Sequence, residues 1–174
     1  MTPNEKFDLV VELEENNAPP ELDEYMAIEK LEDKLKNYDP RFYIKESEFN
    51  NVFLVELMKT NINTAMELAE TSLKKNFEII PIESVVSSQP EKILENIVNT
   101  SKNKIKDGET FTIRCHIRGK RYIKTNEEFI ESIYKELENT EGRPDENHPD
   151  WIIHIQVVGE NTGISVVKVE DIMR

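Results

Sequence analysis

Residues 113–125, IRCHIRGKRYIKT, hold six basic side chains, counting His116, in a chain with 35 acidic residues against 22 lysines and arginines. Side chains alternate across an extended strand, so Thr112, Arg114, His116 and Arg118 share one face and Phe111, Ile113, Cys115 and Ile117 the other. The apolar row suits a core. The basic row repeats about every 6.5–7 Å, close to the phosphate spacing along a nucleic-acid strand. Gly119 follows, then Lys120, Arg121 and Lys124, and Lys102, Lys104 and Lys106 precede the strand. Such a set can hold a polyanion by neutralising its phosphates. Tyr122 adds a ring able to stack on a base, although a core tyrosine is the commoner case. The competing reading is a solvated face paired with carboxylates, but few acids lie nearby in sequence. The lysines before the strand also suit a helix C-terminus, whose dipole favours cations.

Local charge matters more than the total of −13. Residues 1–88 carry 9 basic and 19 acidic side chains, residues 89–125 carry 9 and 4, and residues 126–174 carry 4 and 12. Charges beyond about 10 Å are screened at physiological salt, so an anionic ligand meets the middle segment as a positive surface.

Other chemistry finds little support. A single cysteine, Cys115, excludes an internal disulfide and a multi-thiolate cluster, which fits a reduced, cytoplasmic setting. Cys115 and His116 face opposite sides of their strand, so they cannot share a metal. His148, Asp150 and His154 are a weak metal set, with His148 in a loop beside Pro149. The five glycines form neither G-x-x-x-x-G-K-[ST] nor G-x-G-x-x-G. No catalytic residues, metal or cofactor are assigned. No run of apolar residues is long enough to span a membrane, and the start lacks a signal-peptide core.

The elements that must position the basic row fall into two units. Residues 7–14 alternate as a strand, and Leu22, Met26, Leu31, Leu35 and Tyr38 predict a helix. Strand-like runs at 41–49 and 51–59 meet at Asn50-Asn51, a hairpin turn. Thr64 and Glu67 have capping-box spacing before the helical stripe Ile62, Ala65, Met66, Ala69 and Leu73. The run EIIPIESVV predicts one strand, placed near an edge by Pro81. The order β-α-β-β-α-β is that of a ferredoxin-like unit over residues 1–87. In residues 88–174, Ser88 with Glu91 caps a helix ending at Asp107-Gly108, a strand runs over 110–119, and Thr125 with Glu128 caps a second helix. The strand WIIHIQVV, a turn at GENTG and the strand ISVVKV complete an α-β-α-β-β unit. The expected fold is α+β, with the two units packed as one compact body.

Several motifs of the second unit, TFTIR (110–114), IRGKRYIKT (117–125), NHPDWIIHIQVVG (147–159) and TGISVVKV (162–169), resemble the THUMP domain, an RNA-binding module of tRNA-modifying enzymes. A ferredoxin-like unit before it is similar to the family's common arrangement. Ile117 stands where the family often has a second arginine, and His148-Pro149-Asp150 replaces its Asn-Pro-Asp. The stretches EIIPIESVVSSQPEKILE, GETFTIR and GISVVK are similar to stand-alone THUMP proteins linked to tRNA acetylation. That resemblance implies a non-catalytic adaptor that presents tRNA to an RNA acetyltransferase making N4-acetylcytidine. The RNA-binding residues would be Arg114, His116, Arg118, Gly119, Lys120, Arg121, Lys124, Lys104 and Lys106. The chain stops at Arg174, so the chemistry is expected from that protein partner, with neither DNA nor membrane involved. The alternatives are a protein-interaction scaffold, an adaptor for a different tRNA modification, and a small enzyme with an unrecognised site.

Overall fold

Alternating apolar residues form β1 (Leu9–Leu13), followed by α1 (Pro20–Leu35), β2 (Phe42–Glu46), β3 (Val52–Leu57), α2 (Ile62–Ser72) and β4 (Phe77–Pro81). They make up the first unit of a computed structural model that describes residues 5–14, 20–39, 41–58, 60–72 and 77–172. The four strands are antiparallel in the order β2-β3-β1-β4, the ferredoxin-like arrangement expected. Leu9, Val11, Phe53 and Val55 face the helices and pack with Ala27, Leu31 and Leu35 of α1 and Ala65 and Ala69 of α2. The buried α1 residues repeat every four positions, a single helical stripe. This stripe is rotated from the expected one, because Met26 and Tyr38 are exposed. Leu73 and the side chain of Leu22 lie outside the described residues. Asn51 turns the β2–β3 connection at φ +63°, a left-handed conformation that asparagine tolerates. Asn61 rather than Thr64 caps α2, its Oδ1 accepting from the Thr64 amide at 2.8 Å.

The single strand expected through EIIPIESVV is two strands in different sheets. Pro81 ends β4, an edge strand as its proline requires. The Ile82 amide still donates to Asp8 of the first unit, and the Glu83 amide donates to Ile164 of the second. The chain therefore divides between Ile82 and Glu83, and β5 (Ser84–Ser87) belongs to the second sheet rather than to the first unit. Alternation marks an extended chain, but it carries no sign of a change of sheet.

The second unit continues with α3 (Pro90–Lys104), β6 (Thr110–Arg118), α4 (Asn126–Leu137), β7 (Arg143–Pro144), β8 (Trp151–Val158), β9 (Asn161–Lys168) and α5 (Val169–Ile172). Its strand order is β5-β9-β8-β6-β7. Parallel strands need a crossover, which α4 supplies between β6 and β8. Gly159 and Glu160 alone join β8 to β9, so the turn is tighter than the expected GENTG. Gly159, at φ +60°, takes the first central position, where a type II′ hairpin turn requires glycine. Ser88 is not the cap of α3; Gln89 holds that position, with Pro90 in the first turn. The buried Ser88 hydroxyl instead bonds that of Thr162 at 2.9 Å. Ile93 and Ile97 of α3 and Phe129, Ile133 and Leu137 of α4 bury one face of the sheet, against Phe111, Ile153, Ile155, Val157, Ile164 and Val166. Gly142 lets its loop close on this core, since a Cβ there would stand 2.5 Å from Ile105 Cγ2. Among the described residues, no helix is long and apolar enough to cross a membrane.

Candidate nucleic-acid interface

The parallel register of β6 and β8 sets the neighbours of the basic row. Arg114 lies beside His154, and His116 beside Gln156, on the face opposite the helices. Arg114 and His116 are exposed, as the alternation requires, whereas Arg118 is buried at 6% exposure. Arg118 folds back along its own strand, donating from one guanidinium nitrogen to Gln156 Oε1 at 2.8 Å and bonding His116 Nδ1 from the other at 2.9 Å. A guanidinium only donates, so Nδ1 accepts and Nε2 carries the ring proton. The expectation of three exposed rungs is thus corrected to two rungs and a buried brace. The reason is Gln156, an amide delivered to the site by a strand distant in sequence.

Gly119 follows the end of β6, and its φ of +92° turns the chain out of the sheet. The loop that follows exposes Lys120, Arg121 and Lys124 and buries Ile123. It is tied to the β8–β9 turn by Glu160, which forms an ion pair with Arg121 and accepts the Tyr122 hydroxyl at 2.9 Å. That bond raises Tyr122 above the ordinary phenol range. The Arg121 guanidinium lies 5.3 Å from the Tyr122 ring centre, a cation–π contact. Sequence reasoning misses Glu160, which reads there as one residue of a turn with nothing to link it to Arg121.

Lys104 and Lys106 do not join this group. Lys104 Nζ pairs with Glu83 and donates to the Val166 carbonyl at 2.8 Å, while Glu83 accepts the Val166 amide at 2.7 Å. Val166 pairs with Ile153 near the start of β8, whereas Glu160 lies just beyond its end. Exposed Lys106 belongs to the turn leading into β6, and Lys120 follows that strand's end. At about 3.3 Å per residue, the length of β6 separates the two lysines by roughly 25 Å. Lys104 is therefore corrected from a phosphate contact to a pin on the sheet edge, and Lys106 from a member of the cluster to a cation at the far end of β6.

The other candidates are structural. Burial pushes the Cys115 thiol up to about 12, as suits its place in the apolar row of β6. Asp150 Oδ2 accepts the Thr110 amide at 2.9 Å and joins the starts of β6 and β8. Asp145 Oδ1 accepts the amides of Asn147 and His148, both at 3.0 Å, and these bonds hold its carboxyl below the usual range. Among the described residues, no group of three metal-ligating side chains comes together.

Residues 87–167 match the family model of the THUMP domain. No curated protein matches the chain. Among solved structures, PH1313 from Pyrococcus horikoshii Ot3 has a TM-score of 0.66 at 16% identity, over 92% of this chain and 55% of its own. A 4-thiouridine synthetase, solved as an RNA complex with bound ATP, gives 0.61 at 17% identity, over 94% of this chain and 42% of its own. TrmN from Thermus thermophilus gives 0.54 at 12% identity, over 91% and 45%. The chain spans roughly half the length of these structures, and the likeness to them is one of fold.

Proposed function

We propose, from the premise that residues 87–167 form a THUMP domain, that this chain binds tRNA and presents it to a modifying enzyme without catalysing the reaction itself. The observation that carries this reading is the set of exposed cations, Arg114, Lys120, Arg121 and Lys124 with His116, on one strand and the loop that leaves it. The chain around them is strongly acidic and repels RNA from other faces, so the charge contrast orients an RNA toward these cations. The enzyme served is an RNA cytidine acetyltransferase that makes N4-acetylcytidine. This finer step rests on the similarity of residues 78–95, 108–114 and 163–168 to the stand-alone THUMP proteins of tRNA acetylation.

The first test is salt. With four exposed cations in contact with phosphates, the logarithm of tRNA affinity should fall against the logarithm of salt with a slope near −3 to −4. An affinity independent of salt overturns the phosphate reading. The second test is mass spectrometry of tRNA nucleosides from cells lacking the protein. Loss of acetylcytidine supports the acetylation assignment. Normal acetylcytidine with tRNA binding retained leaves a THUMP adaptor for another modification.

A further inference from the structure

The geometry points to Glu160, an acid, as the positioning residue of this basic interface. One carboxylate at the β8–β9 turn engages Arg121 through one oxygen and the Tyr122 hydroxyl through the other. The Arg121 side chain is 72% exposed and Glu160 only 20%, so the acid is recessed and the guanidinium stands outward above the Tyr122 ring. An arginine on a loop ordinarily samples many rotamers, and ordering it on binding costs affinity. Here the ordering is done before the ligand arrives, with the Tyr122 ring beneath the cation and the carboxylate beside it. The carboxylate occupies only part of the guanidinium's five-donor fork, which leaves donors for a phosphate. Glu160 is itself held, because its carbonyl accepts the Ser88 amide at 3.0 Å and the preceding Gly159 amide donates to Arg118. The turn, the end of β6 and the loop are thus one rigid piece. This inference rests on the tRNA-binding reading above.

The test turns on a sign. Glu160→Ala makes the protein more positive by one charge, so attraction alone predicts tighter binding of RNA. Positioning predicts the opposite, an affinity for an unmodified tRNA transcript about 3- to 10-fold weaker. Tyr122→Phe leaves the charge unchanged and removes one of the two bonds to Glu160, so it should weaken binding in the same direction by less. It also carries the test if Glu160→Ala fails to fold. In an Arg121→Ala background, Glu160→Ala should cause no further loss, because the residue it positions is gone. Tighter binding by Glu160→Ala, or an equal loss with and without Arg121, overturns the inference and leaves the tRNA reading standing. A wild-type protein that binds no tRNA overturns both.

Discussion

Neighbouring residues of β8 meet two different kinds of interior. Ile153, Ile155 and Val157 face the helices, His154 and Gln156 face the other way, and all five are at most 5% exposed. On the helix side, burial needs only volume and shape, and α3 and α4 supply both. On the other side, each buried polar atom needs a named partner. Gln156 has one in Arg118, and the two form a brace under His116. His154 Nε2 and Ser165 Oγ, on residues opposite each other in the register, make no hydrogen bond to described residues. The helix face therefore stabilises the unit by area, and the polar face ties its stability to particular pairs and to pH.

The largest effect that would sharpen this contrast comes from the helix face. Ile153→Ala should cost about 2–5 kcal/mol through the cavity it leaves, read by denaturant unfolding of the full chain. A loss below about 1 kcal/mol would mean that the face is loosely packed and that the contrast fails.

On the polar face, burial and then the nearby Arg114 push His154 down to about 4 from its ordinary 6.5. The unfolded chain binds the proton more readily, so this stabilisation is complete above pH 6.5 and is lost as the pH falls toward 4. The change is on the order of 3 kcal/mol over that range. His154→Leu should flatten that part of the stability profile, and an unchanged profile in the variant would remove His154 as its source.

Arg118→Ala comes next, at about 1–3 kcal/mol, because it leaves the buried Gln156 amide without its donor. Lys120→Ala is the smallest in stability, within about 0.5 kcal/mol of the parent, yet it should weaken tRNA binding and reduce the salt slope by about 0.9. Thermal unfolding beside a tRNA titration separates the two variants. A stability-neutral Arg118→Ala would return that residue to the exposed row.

Much of this is legible in the amino-acid sequence. The two apolar periods, 2 and 3.6 residues, mark every long element, and alternation assigns Ile113 and Arg114 to opposite faces of β6. The exposed set Arg114, His116, Lys120, Arg121 and Lys124 lies in one short segment that composition alone picks out. Harder to see are the short pieces, β5, β7 and α5, because elements of two to four residues are too brief to show a period. The split of EIIPIESVV is hidden for a related reason, since both halves are extended and only their pairing differs.

What the sequence determined by itself is whatever one segment's own geometry settles: the face a side chain takes along a strand, and where positive charge gathers. The tertiary structure decided which of those cations remain exposed, because that depends on what stands across from them. Arg118 and Lys120 are two residues apart, but only Arg118 has the β8 amide of Gln156 within reach. Lys104 is held by Glu83 from β5's end of the sheet, and Arg121 is aimed by Glu160 at a turn 39 residues away. Hydrogen bonds and ion pairs act over a few ångströms, whereas these partners are far apart along the chain. Their meeting is set by which strands and helices lie side by side, and the pattern of one segment does not show that.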